Sequence, residues 1–191
     1  MSPRVLILLA ALAVAAAPLA AQAPAPKRAA RPATAAPSDR DLMIADWERD
    51  RDNVLAYAAA IPDSAVAFRS TPGVRTFAQQ IEHLASTNAE VAARTLRGVE
   101  QPPSFGDSSR YLHERASLVA YARMSYDYVI AAVRAATPAQ LARESAMYGQ
   151  PPATAARWLQ LSREHTAWTL GQTVPYLRLN GVTPPSYKLP L

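Results

Sequence analysis

Cysteine is absent from the 191 residues of the chain. Its absence excludes disulfide bonds, thiolate nucleophiles and thiolate metal ligands, so any bound metal would need His, Asp or Glu. Glycine occurs only six times, and no glycine-rich loop suited to a phosphate group is present. The sequence also has no His-Glu-x-x-His zinc helix, no visible Ser/His/Asp arrangement and no sustained alternation of apolar and polar residues. These absences point away from the common hydrolase motifs and from β-rich folds.

Acidic residues are missing before Ser38, and this asymmetry explains most of the formal charge of +5. Four basic residues lie in that part of the chain, namely Arg4, Lys27, Arg28 and Arg31. From Ser38 onward there are 16 Lys and Arg residues against 15 Asp and Glu, a net charge of +1. Because no basic face interleaved with aromatic residues remains, we expect no binding to nucleic acid.

The first 23 residues have the order of a secretory signal. Arg4 precedes an apolar stretch from Val5 to Ala17, and small residues surround Ala21 and Ala23. The apolar stretch is short for a membrane-spanning helix, although an uncleaved anchor remains an alternative. No second membrane segment follows, so we expect a periplasmic or secreted protein with no membrane span after cleavage. The predicted organisation is a signal peptide over 1–23, an Ala/Pro-rich linker over 24–37 and a folded domain over 38–191.

Apolar residues recur at helical spacing in four segments of the folded domain. Each segment begins at a residue that can cap a helix, and Thr76 has Gln79 three positions on, as in a capping box. The predicted helices run from Ser38-Asp39 to Ala60, from Thr76 to Gly98, from Asp107 or Ser108 to Ala136, and from Thr154 to Asn180-Gly181. The economical fold is an all-α four-helix bundle.

His165 lies on the apolar face of the fourth predicted helix and is expected to point into the bundle. The residues within about 40° of it, at 100° per residue, are Trp158, Leu161, Thr169, Gln172, Tyr176 and Leu179. Two interpretations stay open, a hydrogen-bonded core histidine and a ligand to a cofactor. Gln172 on the same face adds a second buried polar group, which predicts a shared polar pocket. His83 lies at the boundary of its helix face, and His113 is expected to be solvated and outside any site.

Two segments resemble the DinB-like superfamily. They are the run TFAQQIEHL from Thr76 to Leu84 and the run HTAWTLGQTVPYLRLNGVTPP from His165 to Pro185. The resemblance extends over most of Asp39 to Ser186. It implies a four-helix bundle, often dimeric, that holds a divalent metal such as zinc or nickel through three histidines. One of these histidines lies on the second helix, and the other two lie four residues apart on the fourth.

The resemblance places the first two ligands at His83 and His165 and the third at Thr169. A hydroxyl is a poor ligand for zinc or nickel, whereas imidazole suits both, so we expect the metal to be weakly held or absent. Asp50 on the first helix is a candidate to complete the shell, with an ordinary salt bridge to an arginine as the alternative. Glu164 is expected to lie outside the site. Arg178 matches an arginine of the family and is expected to serve local packing or a partner surface.

Three functional hypotheses remain open. The preferred one is an exported DinB-like protein with a degenerate metal site that acts as a binding or structural module. The alternative is a metal-dependent transferase or hydrolase-like enzyme that uses zinc or nickel in a pocket around His83 and His165. The third is a protein that interacts with the envelope or a membrane surface through the leader and the basic linker. A homodimer is also expected, and neither the ligand nor the reaction is defined by the sequence.

Overall fold

The computed structural model describes residues 36–189. The predicted signal peptide over 1–23 and most of the predicted linker over 24–37 lie outside this range. The helices are α1 (Asp39–Ala60), α2 (Phe77–Ala92), α3 (Ser108–Tyr111), α4 (Arg115–Ala135), α5 (Pro138–Ala142), α6 (Ala155–Gln172) and α7 (Val174–Leu179). Two short strands, β1 (Glu144–Ser145) and β2 (Ala153–Thr154), pair in antiparallel fashion before α6. The predicted mostly helical fold is confirmed.

Side-chain caps fix the amino-terminal ends of three of the four long helices, α1, α2 and α6. Ser38 and Asp41 form a capping box at α1, and Thr76 and Gln79 form another at α2. Thr154 caps α6 by accepting a hydrogen bond from the backbone N–H of Arg157. These caps satisfy backbone N–H groups that have no partner within the helix, so these three helices begin where the sequence predicts.

The four long helices form a bundle in which α1 and α2 each pack against both α4 and α6. Large side chains fill the space between them, and the largest fully buried ones include Trp47, Tyr126, Phe77, Ile81, Leu118 and Leu159. Helix α2 ends in one π-helical turn over Ala93–Arg97, and Gly98 follows with a φ of 67°. Within residues 36–189, no helix is long and apolar enough to cross a membrane.

The third predicted helix is not continuous, which corrects the prediction of one helix from Asp107 or Ser108 to Ala136. Helix α3 ends at Tyr111, and α4 begins only at Arg115. Between them Glu114 is extended, with φ of −119° and ψ of 121°. The break turns Tyr111 inward, where its ring stacks on Tyr121 at 4.2 Å. The packing of Tyr111 on Tyr121 therefore interrupts the continuous helix that the apolar spacing predicts.

The fourth predicted helix is also interrupted, because α6 ends at Gln172 and α7 begins at Val174. Pro175 has no N–H to donate and its ring would clash with a carbonyl one turn earlier, so it ends the regular α6 ladder. The interruption changes which residues face the core. Tyr176 stays buried, whereas Leu179, which was predicted on the His165 face, is 63% exposed. The chain then ends its helical run at Gly181, with a φ of 73°, as predicted.

The segment after α7 returns along α1 and is held there by Asn53. The Asn53 side chain is 2% exposed. Its Nδ2 donates to the carbonyl of Lys188 at 3.1 Å, and its Oδ1 accepts from the N–H of Lys188 at 2.9 Å. The ammonium of Lys188 also lies 3.2 Å from a carboxylate oxygen of Asp52. The Asn53 side chain thus pairs with both the N–H and the carbonyl of Lys188, as a neighbouring backbone strand would.

Replacing Asn53 with alanine should lower the free energy of unfolding by about 1–2 kcal/mol, because two hydrogen bonds are lost and water can replace them only in part. Urea unfolding followed by far-UV circular dichroism measures the change. Asp52→Asn is the control, since it removes only surface ion pairs, to Lys188 and Arg51, that are each worth less than about 1 kcal/mol. Equal losses in the two variants would show that the amide does not anchor the segment.

Candidate functional site

Helices α2 and α6 run antiparallel and meet along a row of polar contacts. Gln80 lies near the amino-terminal end of α2 and its Nε2 donates to Oε1 of Gln172 at the end of α6, at 3.2 Å. One turn further along α2, His83 meets His165. Further still, Asn88 accepts a hydrogen bond from Ser162. The two helices therefore bring residues that are 74 to 92 positions apart in the sequence into one groove.

His83, His165 and Thr169 come together in the middle of this groove. The Nε2 atoms of the two histidines are 3.2 Å apart, and Oγ1 of Thr169 is 3.2 Å from Nε2 of His165. The two imidazole rings are perpendicular, with an interplanar angle of 88° and centroids 4.9 Å apart. The structure thus places together the three positions that the resemblance assigned to the metal ligands. Their role as ligands remains a prediction.

Both imidazoles are held in the neutral form by their surroundings. Partial burial lowers the pKa of His83 most, followed by the positive charge of Arg75 and the proximity of His165. The pKa of His165 is lowered by burial and then by the charge of Arg75. A neutral imidazole can use one ring nitrogen as a donor and the other as an acceptor or metal ligand. The pair is therefore available for hydrogen bonding at neutral pH.

Two of the three donor positions fit a metal ion. Two nitrogens that each lie about 2.0–2.1 Å from a tetrahedral zinc ion are roughly 3.4 Å apart, close to the separation of the two Nε2 atoms. The third position fits poorly, because the Thr169 hydroxyl is neutral and only 2% of this residue is exposed. Across residues 36–189, no group of three His, Asp or Glu side chains is arranged to hold a metal ion.

Among the described residues, His165 also lacks the hydrogen-bond partner that usually orients a metal-binding histidine. A histidine that binds metal through one ring nitrogen usually donates its other N–H to a carbonyl or carboxylate, which fixes the ring. Nδ1 of His165 is buried, and no hydrogen-bond partner for it occurs in the described part of the chain. Because both the third donor and this partner are lacking, the residues present do not form a complete site for zinc or nickel.

Asp50 does not complete the set of ligands. Its side chain is 4% exposed, and one carboxylate oxygen lies 2.7 Å from Nε of Arg163. Arg49 approaches the other oxygen at 3.5 Å. Arg163 also binds Asp46 at 2.7 Å, which links α1 to α6 through a charge network. Of the two predicted roles of Asp50, the structure thus shows the salt bridge, and both carboxylate oxygens of Asp50 face arginines.

The remaining polar candidates lie at the surface. His113 and Glu164 are exposed, as predicted, and Arg178 is exposed on α7. Gln172 is exposed as well, which contradicts its predicted burial on the His165 face. The reason is its position in the last turn of α6, where the helix ends before Pro175 and leaves this side chain at the edge of the bundle.

A pocket of about 330 Å³ opens beside the two histidines. Its wall is mainly apolar and aromatic, and it is lined by His83, Thr87, Val91, Tyr148, Trp158, Leu161, Ser162 and His165. Two larger grooves, of about 580 and 690 Å³, lie near the amino-terminal ends of α1 and α6 and contain neither histidine. The pocket next to the imidazoles combines an apolar wall with converging polar groups, as ligand sites do.

Tyr148 covers one side of the pocket from the loop between β1 and β2. It has a left-handed backbone, with a φ of 53°, and Gly149 follows with a φ of 70°. Its ring lies edge-on to Trp158, with centroids 6.2 Å apart, and its hydroxyl donates to Glu90 at 3.1 Å. Sequence reasoning treated this segment as a connecting loop and missed Tyr148, although the glycine after it is typical of a tight turn.

A fully buried polar cluster lies behind the pocket and was also missed. Nδ2 of Asn88 on α2 donates to Tyr126 on α4 at 3.0 Å and to Thr166 on α6 at 2.7 Å. Oδ1 of Asn88 accepts from the hydroxyl of Ser162, which lines the pocket. Asn88 and Tyr126 are both completely buried. This cluster fixes the relative positions of three helices and supports the polar side of the groove.

The two lowered pKa values predict that stability falls on acidification. In the unfolded chain these histidines protonate near 6.5, whereas in the folded protein they protonate at lower pH. The unfolded state thus binds more protons as the pH drops through 6.5, so the free energy of unfolding decreases until the folded histidines are also protonated. His165→Gln should weaken this decrease in urea titrations at a series of pH values. His113→Gln, an exposed histidine outside the site, is the matched control, and an unchanged profile in His165→Gln would contradict the prediction.

Known proteins are similar to this chain in sequence pattern and in fold. The sequence model described as DinB superfamily matches residues 46–173, about two thirds of the chain. A crystal structure of a DinB-like protein from Bacillus subtilis is similar with a TM-score of 0.65 and 19% identity, over 78% of this chain and 99% of that one. A DinB-like protein from Bacillus cereus has a TM-score of 0.62 and 15% identity, over 76% and 95% of the two chains.

Comparison with curated proteins found no match. At 19% and 15% identity, the two similar structures show the shared fold and carry no statement about activity. The match to the family model covers more than half of the sequence and includes both His83 and His165. The chain belongs to the DinB superfamily.

Proposed function

We propose that this DinB-like protein is an exported binding module that holds a small apolar molecule in the pocket beside His83 and His165. In this proposal the metal site is degenerate, and zinc or nickel is weakly held or absent. The observation that carries the proposal is the aromatic-lined pocket of about 330 Å³ that ends at two neutral imidazoles. Its volume lies in the range of small-molecule sites, about 300–1,000 Å³.

The composition of the pocket wall supports a ligand with an apolar body. Val91, Trp158 and Leu161 supply aliphatic and aromatic surface, and Tyr148 lies edge-on to Trp158 above it. Burial of apolar area in such a pocket is favourable by about 25 cal/mol per Å². Polar groups of His83, His165, Thr87 and Ser162 also line the pocket, and they would fix the orientation of the ligand.

The metal-dependent enzyme of the alternative hypothesis receives less support from the same residues. A catalytic metal needs three protein ligands and an open position, and the third ligand position here is a hydroxyl. Thr169 cannot serve as a nucleophile in its place, because it is 2% exposed and has no access to a substrate. A binding role requires only the pocket and the hydrogen-bonding capacity of the imidazoles.

Export and dimer formation are part of the proposal. Export is supported by the composition of residues 1–23. A homodimer is supported by Trp168 on α6, whose side chain is 71% exposed, since aromatic residues are enriched at protein interfaces. Light scattering measures the oligomeric state, and mass spectrometry of the envelope form identifies the amino terminus. An intact Met1 would favour an anchor over a cleaved signal.

Titration with the neutral fluorescent probe N-phenyl-1-naphthylamine tests the binding function. We expect saturable binding to the parent protein and at least a tenfold loss in Leu161→Trp, because the added indole occupies the pocket. Leu42→Trp is the matched control, since Leu42 is 52% exposed on α1 and does not line this pocket. Absence of binding to the parent, or equal binding to the two variants, would overturn the proposal.

A further inference from the structure

Ser162 belongs both to the wall of the pocket and to the buried cluster around Asn88. Its side chain is buried, and its hydroxyl donates a hydrogen bond to Oδ1 of Asn88. A serine hydroxyl has one proton and two lone pairs, so this bond uses the only proton that Ser162 can donate. Toward a ligand in the pocket, Ser162 can therefore act only as a hydrogen-bond acceptor.

The direction of this hydrogen bond is fixed by the rest of the cluster. Nδ2 of Asn88 has two hydrogens, and it donates to Tyr126 at 3.0 Å and to Thr166 at 2.7 Å. Its Oδ1 carries no proton and can only accept, so the proton of this bond belongs to Ser162. If the amide were turned over, its two N–H groups would have only Ser162 within reach among the described residues. One buried N–H would then have no partner, which is unfavourable.

The donor groups of the two aromatic side chains in the pocket wall are also committed. Nε1 of Trp158 donates to the carbonyl of Ser145 at 2.7 Å. The hydroxyl of Tyr148 donates to a carboxylate oxygen of Glu90 at 3.1 Å. An indole has one N–H and a phenol one O–H, so neither side chain keeps a proton for a ligand. The aromatic part of the wall therefore provides surface and no free donor.

The remaining polar groups of the wall, on His83, His165 and Thr87, favour neither donors nor acceptors. The Nε2 atoms of the two histidines lie 3.2 Å apart, so in a neutral pair one of them carries the shared proton. Of the two outer ring nitrogens, one is then a donor and the other an acceptor. The hydroxyl of Thr87 can turn to donate or to accept. The excess of acceptors thus comes from the committed hydroxyls, of which that of Ser162 is buried.

The pocket wall favours a neutral aromatic ligand. Among residues 36–189, those that line this pocket include no Asp, Glu, Lys or Arg. The two imidazoles are neutral because burial lowers the pKa of each. A charged ligand would give up its hydration here without meeting an opposite charge. The edge-on rings of Tyr148 and Trp158 offer aromatic surface to a flat molecule.

We propose that the ligand is a neutral aromatic molecule with one hydrogen-bond donor, either a ring N–H or a phenol O–H, and that Ser162 accepts from this donor. A ligand N–H that meets the hydroxyl oxygen replaces the hydrogen bond that it made with water. A ligand of the same shape without a donor would leave the lone pairs of Ser162 facing apolar surface, which weakens binding. This inference rests on the proposed binding function and specifies its ligand class.

The test compares indole with benzofuran by isothermal titration calorimetry. The two molecules have nearly the same shape, and benzofuran has an oxygen where indole has its N–H. We expect the parent protein to bind indole about threefold or more tightly than benzofuran. In Ser162→Ala this preference should disappear, while the affinity for benzofuran changes by less than about twofold.

Ser125→Ala is the matched control for this variant. Ser125 is a buried serine on α4 whose hydroxyl donates to the carbonyl of Tyr121 at 3.0 Å, and it does not line the pocket. This variant should keep the preference of the parent for indole. Far-UV circular dichroism checks that both alanine variants remain folded at the temperature of the titration.

Each outcome separates this inference from the proposed function. If the parent binds benzofuran as tightly as indole, or more tightly, the ligand class is wrong and the binding function stands; this comparison needs no variant. If Ser162→Ala keeps the preference for indole, or Ser125→Ala loses it to the same extent, Ser162 is not the acceptor and the inference is also overturned. If neither compound nor the neutral probe binds the parent, the binding function itself fails.

Discussion

Asn88→Ala should lower the free energy of unfolding by about 3–5 kcal/mol, a large effect for a single substitution. Asn88 is completely buried and bonds to side chains on two other helices. Alanine would leave the hydroxyls of Tyr126, Thr166 and Ser162 without this common partner. Each buried polar group that loses its partner costs about 1–3 kcal/mol.

Urea unfolding of Asn88→Ala and Asn180→Ala measures this effect with a matched control. Nδ2 of Asn180 makes one local hydrogen bond, to the carbonyl of Tyr176 at 2.9 Å. Its loss should therefore cost about 1 kcal/mol or less. If both variants were destabilised to the same extent, the buried cluster would not be the element that fixes α2, α4 and α6 against one another.

Thr169→His should increase the affinity for zinc by roughly 100-fold or more, because it replaces a poor donor with an imidazole one helical turn from His165. Residues four apart lie on one face of a helix, so the new ring would point toward the existing pair. Oγ1 of Thr169 already lies 3.2 Å from Nε2 of His165. The substitution thus restores the three-histidine set that the resemblance implies.

The control for this gain is Thr169→Val, which keeps the shape of threonine and provides no donor atom. Its zinc affinity should stay as weak as that of the parent, since the hydroxyl contributes little as a ligand. Competition with a chelating dye measures the affinities of all three proteins. A folded Thr169→His variant with no gain in affinity would mean that the site has been placed incorrectly.

The starts of α1, α2 and α6 and the end of α7 were predictable because their signals are local. Ser38, Thr76 and Thr154 cap helices in the sequence and in the structure. Gly181 ends the last helical run with a positive φ. Each signal involves residues within one turn of the helix end, so no knowledge of the packing is needed to recognise it.

The interruptions inside the predicted helices depended on contacts between distant residues. The break after Tyr111 accompanies stacking on Tyr121 and a hydrogen bond to Glu82, 29 positions away. A helical wheel assumes a continuous helix, so it could not foresee this break. The interruption at Pro175 did have a local signal, and the wheel that placed Gln172 and Leu179 on the His165 face ignored it.

Some residues of the candidate site could also be predicted from the sequence, and others could not. Periodicity indicated His165, and the resemblance supplied His83 and located the third position at Thr169. The structure places all three within hydrogen-bonding distance. The pocket, the position of Tyr148 above it and the buried cluster around Asn88 arise where separate helices and a loop meet. The residues of these features have no common spacing, so they cannot be recognised from one sequence.

The metal content of the untagged protein tests the degenerate site most directly. The protein should be purified without a histidine tag, equilibrated with zinc and nickel, and then passed over a desalting column. Inductively coupled plasma mass spectrometry then measures the number of metal ions per chain. Because the set consists of two histidines and a buried hydroxyl, we expect far less than one metal ion per chain. Retention of one zinc or nickel ion per chain, lost in His83→Gln and His165→Gln, would contradict this expectation.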